Sequence, residues 1–230
     1  MNKAVKTIVS ILLLFVIAGL AYMIVQSIQE PVKFNKAVKA RETVGIQRMK
    51  DIRDLQVAYK SVNGKFCSTI DSLITFYNTG KMEVLMQVGS NDDSLAVAHT
   101  DAIKKANKKI TAQDLYQLYQ AGDKNLVFTV KSEIPVRDTL FASRKDFIAD
   151  SLKYIPFSGK QQTEMEATIK KVSGVDVPLF EARMPYKKLL KGLDNQLRIN
   201  LDDEKRNQNR YEGLQVGSIS APNNNAGNWE

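Results

Sequence analysis

From Thr7 to Gln29 no residue carries a charge, and Ile8 to Val25 is almost continuously apolar. At 1.5 Å per residue, such a run crosses a hydrocarbon core of about 30 Å as one helix whose backbone groups bond internally, as lipid requires. Residues 1–6 then form a short tail and residues 7–29 the expected transmembrane helix. Its anchor side chains are Ile8, Leu12, Leu13, Leu14, Phe15, Val16, Ile17, Leu20, Ile24 and Val25. Past Pro31, which marks a kink or the first turn of a second helix, the pattern changes. Val38, Gly45, Met49, Ile52, Leu55 and Tyr59 recur at helical spacing, while Arg48, Lys50, Asp51, Arg53 and Asp54 fall mostly off that face. Residues 30–64 therefore read as a long juxtamembrane amphipathic helix, stopped at Asn63-Gly64.

Residues 65–219 alternate between the two periods and predict an α+β head with small, mostly antiparallel, strand-rich sheets. Ser68 or Thr69 caps a helix through Ile70, Leu73, Ile74 and Phe76, and Met82 to Val88 follows as a strand. Thr111 and Asp114 form a capping box before Leu115, Tyr116, Leu118 and Tyr119, and Leu126 to Val130 is the next strand. Further strands are expected at Tyr154 to Phe157, Met165 to Val172, Val177 to Met184, Leu197 to Leu201 and Leu214 to Ile219, with a short helix from Tyr186. Residues 220–230 lack a core pattern and should form a flexible tail unless Trp229 docks.

Charge and composition narrow the chemistry. The 33 Lys and Arg exceed the 25 Asp and Glu but are interleaved with them, so no nucleic-acid partner is expected. A single cysteine, Cys67, excludes an internal disulfide and any CxxC chemistry; a single histidine, His99, leaves no imidazole-rich metal site. Acidic clusters at Asn91-Asp92-Asp93 and Asp202-Asp203-Glu204 read as solvated loops rather than cation sites. Asp202 and Glu204 are the carboxylate pair an acid-base enzyme needs, yet nothing places them about a pocket. No catalytic, cofactor or metal residue is assigned.

Two readings of the apolar run compete. Lys3, Lys6 and Gly19-Leu20-Ala21 fit a cleaved secretory signal, whereas Tyr22 to Val25 prolong the run and favour a retained signal anchor. Lys33, Lys36, Lys39 and Arg41 outnumber the lysines before the span, a count that by itself keeps the head inside. A very short basic tail entering a span directly behaves instead like a signal anchor that exports the rest of the chain. At the membrane end of the second helix, Phe34 and Val38 stand among Lys33, Lys36, Lys39 and Arg41, a candidate contact with lipid headgroups or other subunits. The half after Gly45 is expected to pack on its own domain.

The segment Arg53 to Phe66, ending in Asn63-Gly64-Lys65-Phe66, resembles the end of the long helix in type IV pilin-like and type II secretion major-pseudopilin-like proteins. The likeness covers roughly the first third of the chain. Prepilins of that kind place a glutamate early in the apolar helix; here the first acid is Glu30, which favours an anchored accessory component over a filament subunit. Four later segments resemble a single-span envelope family of Gram-negative bacteria that brings no activity with it. They are Ile155 to Gly159, Val177 to Ala182, Asn209 to Ser218 and Asn223 to Glu230. Together these resemblances imply a non-enzymatic inner-membrane protein with a periplasmic head, serving a secretion or pilus-like assembly. Its expected partners are membrane lipid and other envelope proteins, self-association included. A membrane-tethered ligand-binding or sensor module is the alternative.

Overall fold

The computed structural model describes the backbone of residues 3–230 and the side chains from Ile11 onward; the expected anchor residue Ile8 lies outside the described side chains. In chain order the elements are α1 (Lys3–Asn63), α2 (Ile70–Thr79), β1 (Lys81–Val88), α3 (Ser94–Ala106), α4 (Ala112–Gln120), β2 (Phe128–Pro135) and α5 (Val136–Thr139). After a 3-10 turn at Ala149–Lys153 come β3 (Glu164–Val172), β4 (Val175–Pro185), α6 (Tyr186–Leu189), α7 (Asn195–Asn207) and β5 (Gly213–Gly217). Half of the chain is helical and a fifth is strand, an α+β composition with antiparallel sheets.

α1 is one helix of 61 residues that runs through Pro31 without interruption. Proline lacks the N–H that would bond the Ser27 carbonyl, but the position lies just past the apolar run, where water can satisfy that oxygen. The helix from Ile11 onward is long and apolar enough to cross a membrane, and its most apolar window has no side-chain burial at all. Gly64, at φ 71°, ends it by returning its N–H to the Lys60 carbonyl at 2.8 Å.

The chain divides into two compact units. The first joins residues 1–53 to residues 150–230. Its sheet has the order β3-β4-β5, with β4 central and both neighbours antiparallel to it. Four successive β4 residues, Leu179 to Ala182, are buried, which is the pattern of a strand covered on both faces rather than one. Met49, Ile52, Phe180, Met184, Leu189 and Leu190 are among its fully buried side chains. α1 approaches this core closely at Gly45, where a Cβ would stand 2.6 Å from Leu214 Cδ1.

The second unit, residues 54–149, pairs β1 with β2 over eight residues each, from Lys81 opposite Pro135 to Val88 opposite Phe128. Val88, Leu115, Leu126, Phe128 and Val130 form its buried cluster, with Ile103, Ile110, Tyr116 and Tyr119 packed around it. The Thr111–Asp114 capping box is present, and Thr69 caps α2. Gln56, fully buried at the end of α1, forms a closed pair with the Cys67 backbone: its Nε2 donates to the carbonyl at 2.7 Å and its Oε1 accepts from the N–H at 2.9 Å.

Three expectations are corrected. Leu197 to Leu201 lies in helix α7, not in a strand. Asp194 caps that helix by accepting from the Leu197 N–H at 2.8 Å, and Arg198 pairs with Asp202 one turn on. Tyr154 to Phe157 is a tight turn bounded by a single bridge, Tyr154 to Gln162, because the buried Ser158 hydroxyl donates to the Ile155 carbonyl and accepts from the Gln161 N–H. The tail at 220–230 is docked: Gly217 N–H donates to the Ala226 carbonyl at 3.0 Å and Asn228 N–H to the Gln215 carbonyl at 3.0 Å, adding a short pairing to the free edge of β5.

Candidate functional site

The first unit holds a cleft of about 270 Å³, just below the usual range of small-ligand pockets. Five parts of the chain build it. α1 contributes Glu42 and Ile46; the start of α6 contributes Tyr186; the end of α7 and the turn after it contribute Lys205, Arg210 and Tyr211; the start of β5 contributes Gly213 and Leu214; the docked tail contributes Asn228, Trp229 and Glu230. Two of the segments that carry the envelope-family resemblance, Asn209 to Ser218 and Asn223 to Glu230, are thus brought side by side along one wall.

The tail is held by matched side chains. Asn228 Nδ2 donates to the Gly213 carbonyl at 2.8 Å while its Oδ1 accepts from the Gln215 N–H at 3.1 Å, so one amide replaces a missing stretch of backbone ladder. Arg53 reaches Glu230 at 2.6 Å, and the other oxygen of that carboxylate accepts from the Gly227 N–H at 3.2 Å. A Cβ at Gly227 would stand 2.3 Å from the Trp229 ring, so a larger residue there has to displace the indole. The Trp229 indole N–H is buried without a partner.

At the inner wall the Tyr186 hydroxyl donates to Glu42 in a short hydrogen bond. Burial first, and the Glu42 carboxylate second, hold that hydroxyl far above the usual phenol range, so it remains a donor. Burial likewise pushes Tyr211 up to about 12. Lys205 and Arg210 make no ion pair among the described residues, which leaves the cleft with two uncommitted cations. The arrangement suits holding a small polar or anionic group; it brings together no nucleophile, base and orienting partner.

The residues singled out from sequence fall in different surroundings. The described anchor side chains, Leu12 to Ile17, Leu20, Ile24 and Val25, are all exposed. Phe34 and Val38 are both buried at 7% exposure, so they belong to the core rather than to a docking surface. Arg41 donates to the carbonyls of Leu189 at 3.1 Å and Lys191 at 2.8 Å, whereas Lys33, Lys36 and Lys39 are exposed. Asp202 and Glu204 do not face each other: Asp202 is buried against Arg198, and Glu204 accepts from Gln208 on the next turn of α7. Asp93 caps α3, and no group of three or more metal-capable side chains occurs among the described residues. His99 bonds Asp123 at 2.9 Å, and that bond holds the Asp123 carboxyl below its usual range. Cys67 is buried. The cleft as a whole escapes a reading of the sequence because Glu42, Ile46, Tyr186 and Lys205 share no local spacing with one another or with the rest of its lining; Arg210 to Leu214 and Asn228 to Glu230 stand in segments that the resemblance marks.

Compared with protein-family models, curated proteins and solved structures, the chain matches none.

Proposed function

We propose that this chain is a non-enzymatic, single-span inner-membrane protein that holds its folded units in the periplasm. There it acts by binding other proteins, as a pilin- or pseudopilin-like component or accessory factor of a secretion or pilus-like assembly. The observation that carries the reading is α1: one unbroken helix, apolar and exposed from Ile11 to Ile28, then packed into folded structure from Phe34 onward. Such a helix is an anchor and a rigid mount at once. The position of Glu30 beyond the apolar run supports permanent anchoring over polymerisation. The reactive side chains also support a structural role, since Cys67 is buried, His99 is engaged with Asp123, and Asp202 with Arg198.

The test combines topology with capture. A Cys67→Ala chain carrying the exposed-site substitution Asn207→Cys is labelled in spheroplasts with a membrane-impermeant thiol reagent, then crosslinked and purified in mild detergent. Labelling in intact spheroplasts with recovery of envelope-assembly proteins is expected; protection until lysis places the head in the cytoplasm and ends the secretion reading.

A second reading, a tethered binding module, is favoured by the cleft with its unpaired Lys205 and Arg210. Small carboxylates or inorganic phosphate should then raise the thermal midpoint of the wild type and leave that of Lys205→Ala, Arg210→Ala unmoved.

A further inference from the structure

We propose that the membrane-proximal face of the first unit is a docking surface for anionic phospholipid headgroups. In this arrangement Phe157 sits in the interface and Lys33, Lys36, Lys160 and Lys191 face lipid phosphates. The inference rests on the anchored reading of α1.

Height along α1 comes first. Counting 1.5 Å per residue from Gln29, the last residue of the uncharged run, Phe34 lies about 7.5 Å further along the helix. The headgroup layer on each side of a bilayer is about 5–8 Å thick. Phe34 is nevertheless buried, so folded chain covers the helix down to that level. Even an upright helix therefore brings the folded unit into contact with headgroups.

Next is the structure gathered at Arg41. Its guanidinium bonds the Leu189 and Lys191 carbonyls and lies 4.9 Å over the Phe157 ring. A Cβ on Gly159 would stand 3.2 Å from Lys191 Nζ, so that ammonium lies against the same turn. By the same count the Arg41 Cα lies about 18 Å beyond Gln29, and its side chain leans back toward the helix N-terminus, so the Phe157 turn reaches the headgroup layer when the helix tilts toward this face, as spanning helices do by about 20° on average.

The third is conformation. Phe157, Gly159 and Lys160 all have positive φ, at 61°, 74° and 68°. A phenylalanine rarely adopts that region, and here it is held there by the buried Ser158 hydroxyl, bonded on both sides. The result is a ring 52% exposed, pinned outward beside lysines instead of tucked into the core. Such an aromatic wedge among cations matches a membrane interface.

The fourth is charge. Lys33, Lys36, Lys160 and Lys191 make no ion pair among the described residues. The acids on the same stretch of α1, Glu30 and Glu42, bond the neutral donors Gln26 at 3.0 Å and Tyr186 and keep their charge. With Lys39 and Arg41 beside the four lysines, cations outnumber these two carboxylates and leave the face net positive, complementary to anionic lipid.

The test uses the full chain carrying Trp229→Phe and Phe157→Trp, reconstituted into phosphatidylcholine vesicles with or without phosphatidylglycerol. Each set contains lipids brominated near the top of the acyl chain. Tryptophan at position 157 should be quenched, severalfold more strongly with phosphatidylglycerol, and the anionic increment should vanish in Lys160→Glu, Lys191→Glu. Reading the same bilayers with Lys191→Trp in place of Phe157→Trp keeps the result independent of how the tight turn accepts the larger ring. Vesicles that float with the protein while both reporters stay unquenched overturn the headgroup proposal and assign the face to solvent or a protein partner. Protein that fails to float with vesicles overturns the anchored reading itself.

Discussion

The two halves of α1 share one backbone and opposite surroundings. Between Ile11 and Ile28 every large apolar side chain is at least half exposed, whereas Met49 and Ile52, on the same helix, are wholly buried. Apolar content does not distinguish them; distribution does. The first half is apolar all round, which in water has no stable solution, and the second confines its apolar residues to a stripe that folded chain can cover. One helix thus carries two instructions, and the change falls between Pro31 and Phe34.

The largest test of that contrast is truncation on each side of it. Ile52→Ala should destabilise the folded part by about 2–5 kcal/mol, the range for opening a cavity at a fully buried site. Ile17→Ala should leave it unchanged, because that side chain touches nothing the fold needs. Chemical denaturation in mild detergent, followed by circular dichroism, measures both. Equal losses would mean the apolar half packs against protein rather than lipid.

Reversing the solvent preference comes next. Ile17→Arg places a charge near the middle of the span, where insertion is penalised by about 2.5–3.5 kcal/mol. The variant should shift from the carbonate-resistant to the extractable membrane fraction, while Lys39→Arg, in the packed half but exposed, should not.

The same contrast explains what was legible in the sequence. The apolar run needs no tertiary context, so its extent could be read directly, and so could the Thr111–Asp114 box, whose partners are three residues apart. Leu197, Ile199 and Leu201 alternate as a strand does, but the Asp194 cap and the Arg198–Asp202 pair make α7 a helix. Phe34 and Val38 stand among lysines and read as a contact with lipid headgroups or other subunits, whereas chain from elsewhere in sequence buries them. The cleft escapes the sequence for the same reason: it forms only when residues 205–214 and 228–230 return to α1, and the tail docks through the Asn228 amide, the Arg53–Glu230 pair and backbone bonds to partners outside its own local spacing.

Pro31 sits at the junction and offers a smaller effect. Pro31→Ala restores one hydrogen bond to Ser27 and removes a residue about 3 kcal/mol less favourable than alanine in a helix interior; water access at the junction makes the realised gain a fraction of that. Amide hydrogen exchange over residues 31–35 should slow severalfold, with no change in exchange at Met49 or Ile52. Faster exchange throughout would show that proline is there to fix the angle between the halves.

The smallest expected effect lies where the packed half meets the tail. The Arg53 guanidinium, with the Gly227 N–H behind it, holds the Glu230 carboxyl below its ordinary range. A carboxyl lowered in the folded state contributes stability above its unfolded value and loses that contribution as pH falls through the folded one. The docked tail should therefore persist through neutral and mildly acidic pH and release only on stronger acidification. Trp229, the single tryptophan, reports this directly, since its ring rests on Gly227 and release should move its emission to the red. Arg53→Ala should shift the midpoint of that acid transition upward, toward the ordinary carboxylate range, and leave the neutral spectrum almost unchanged, because an ion pair this exposed contributes little by itself. If the midpoint stays where it was, the Asn228 amide and the backbone pairing alone hold the tail, and Arg53 only decorates it.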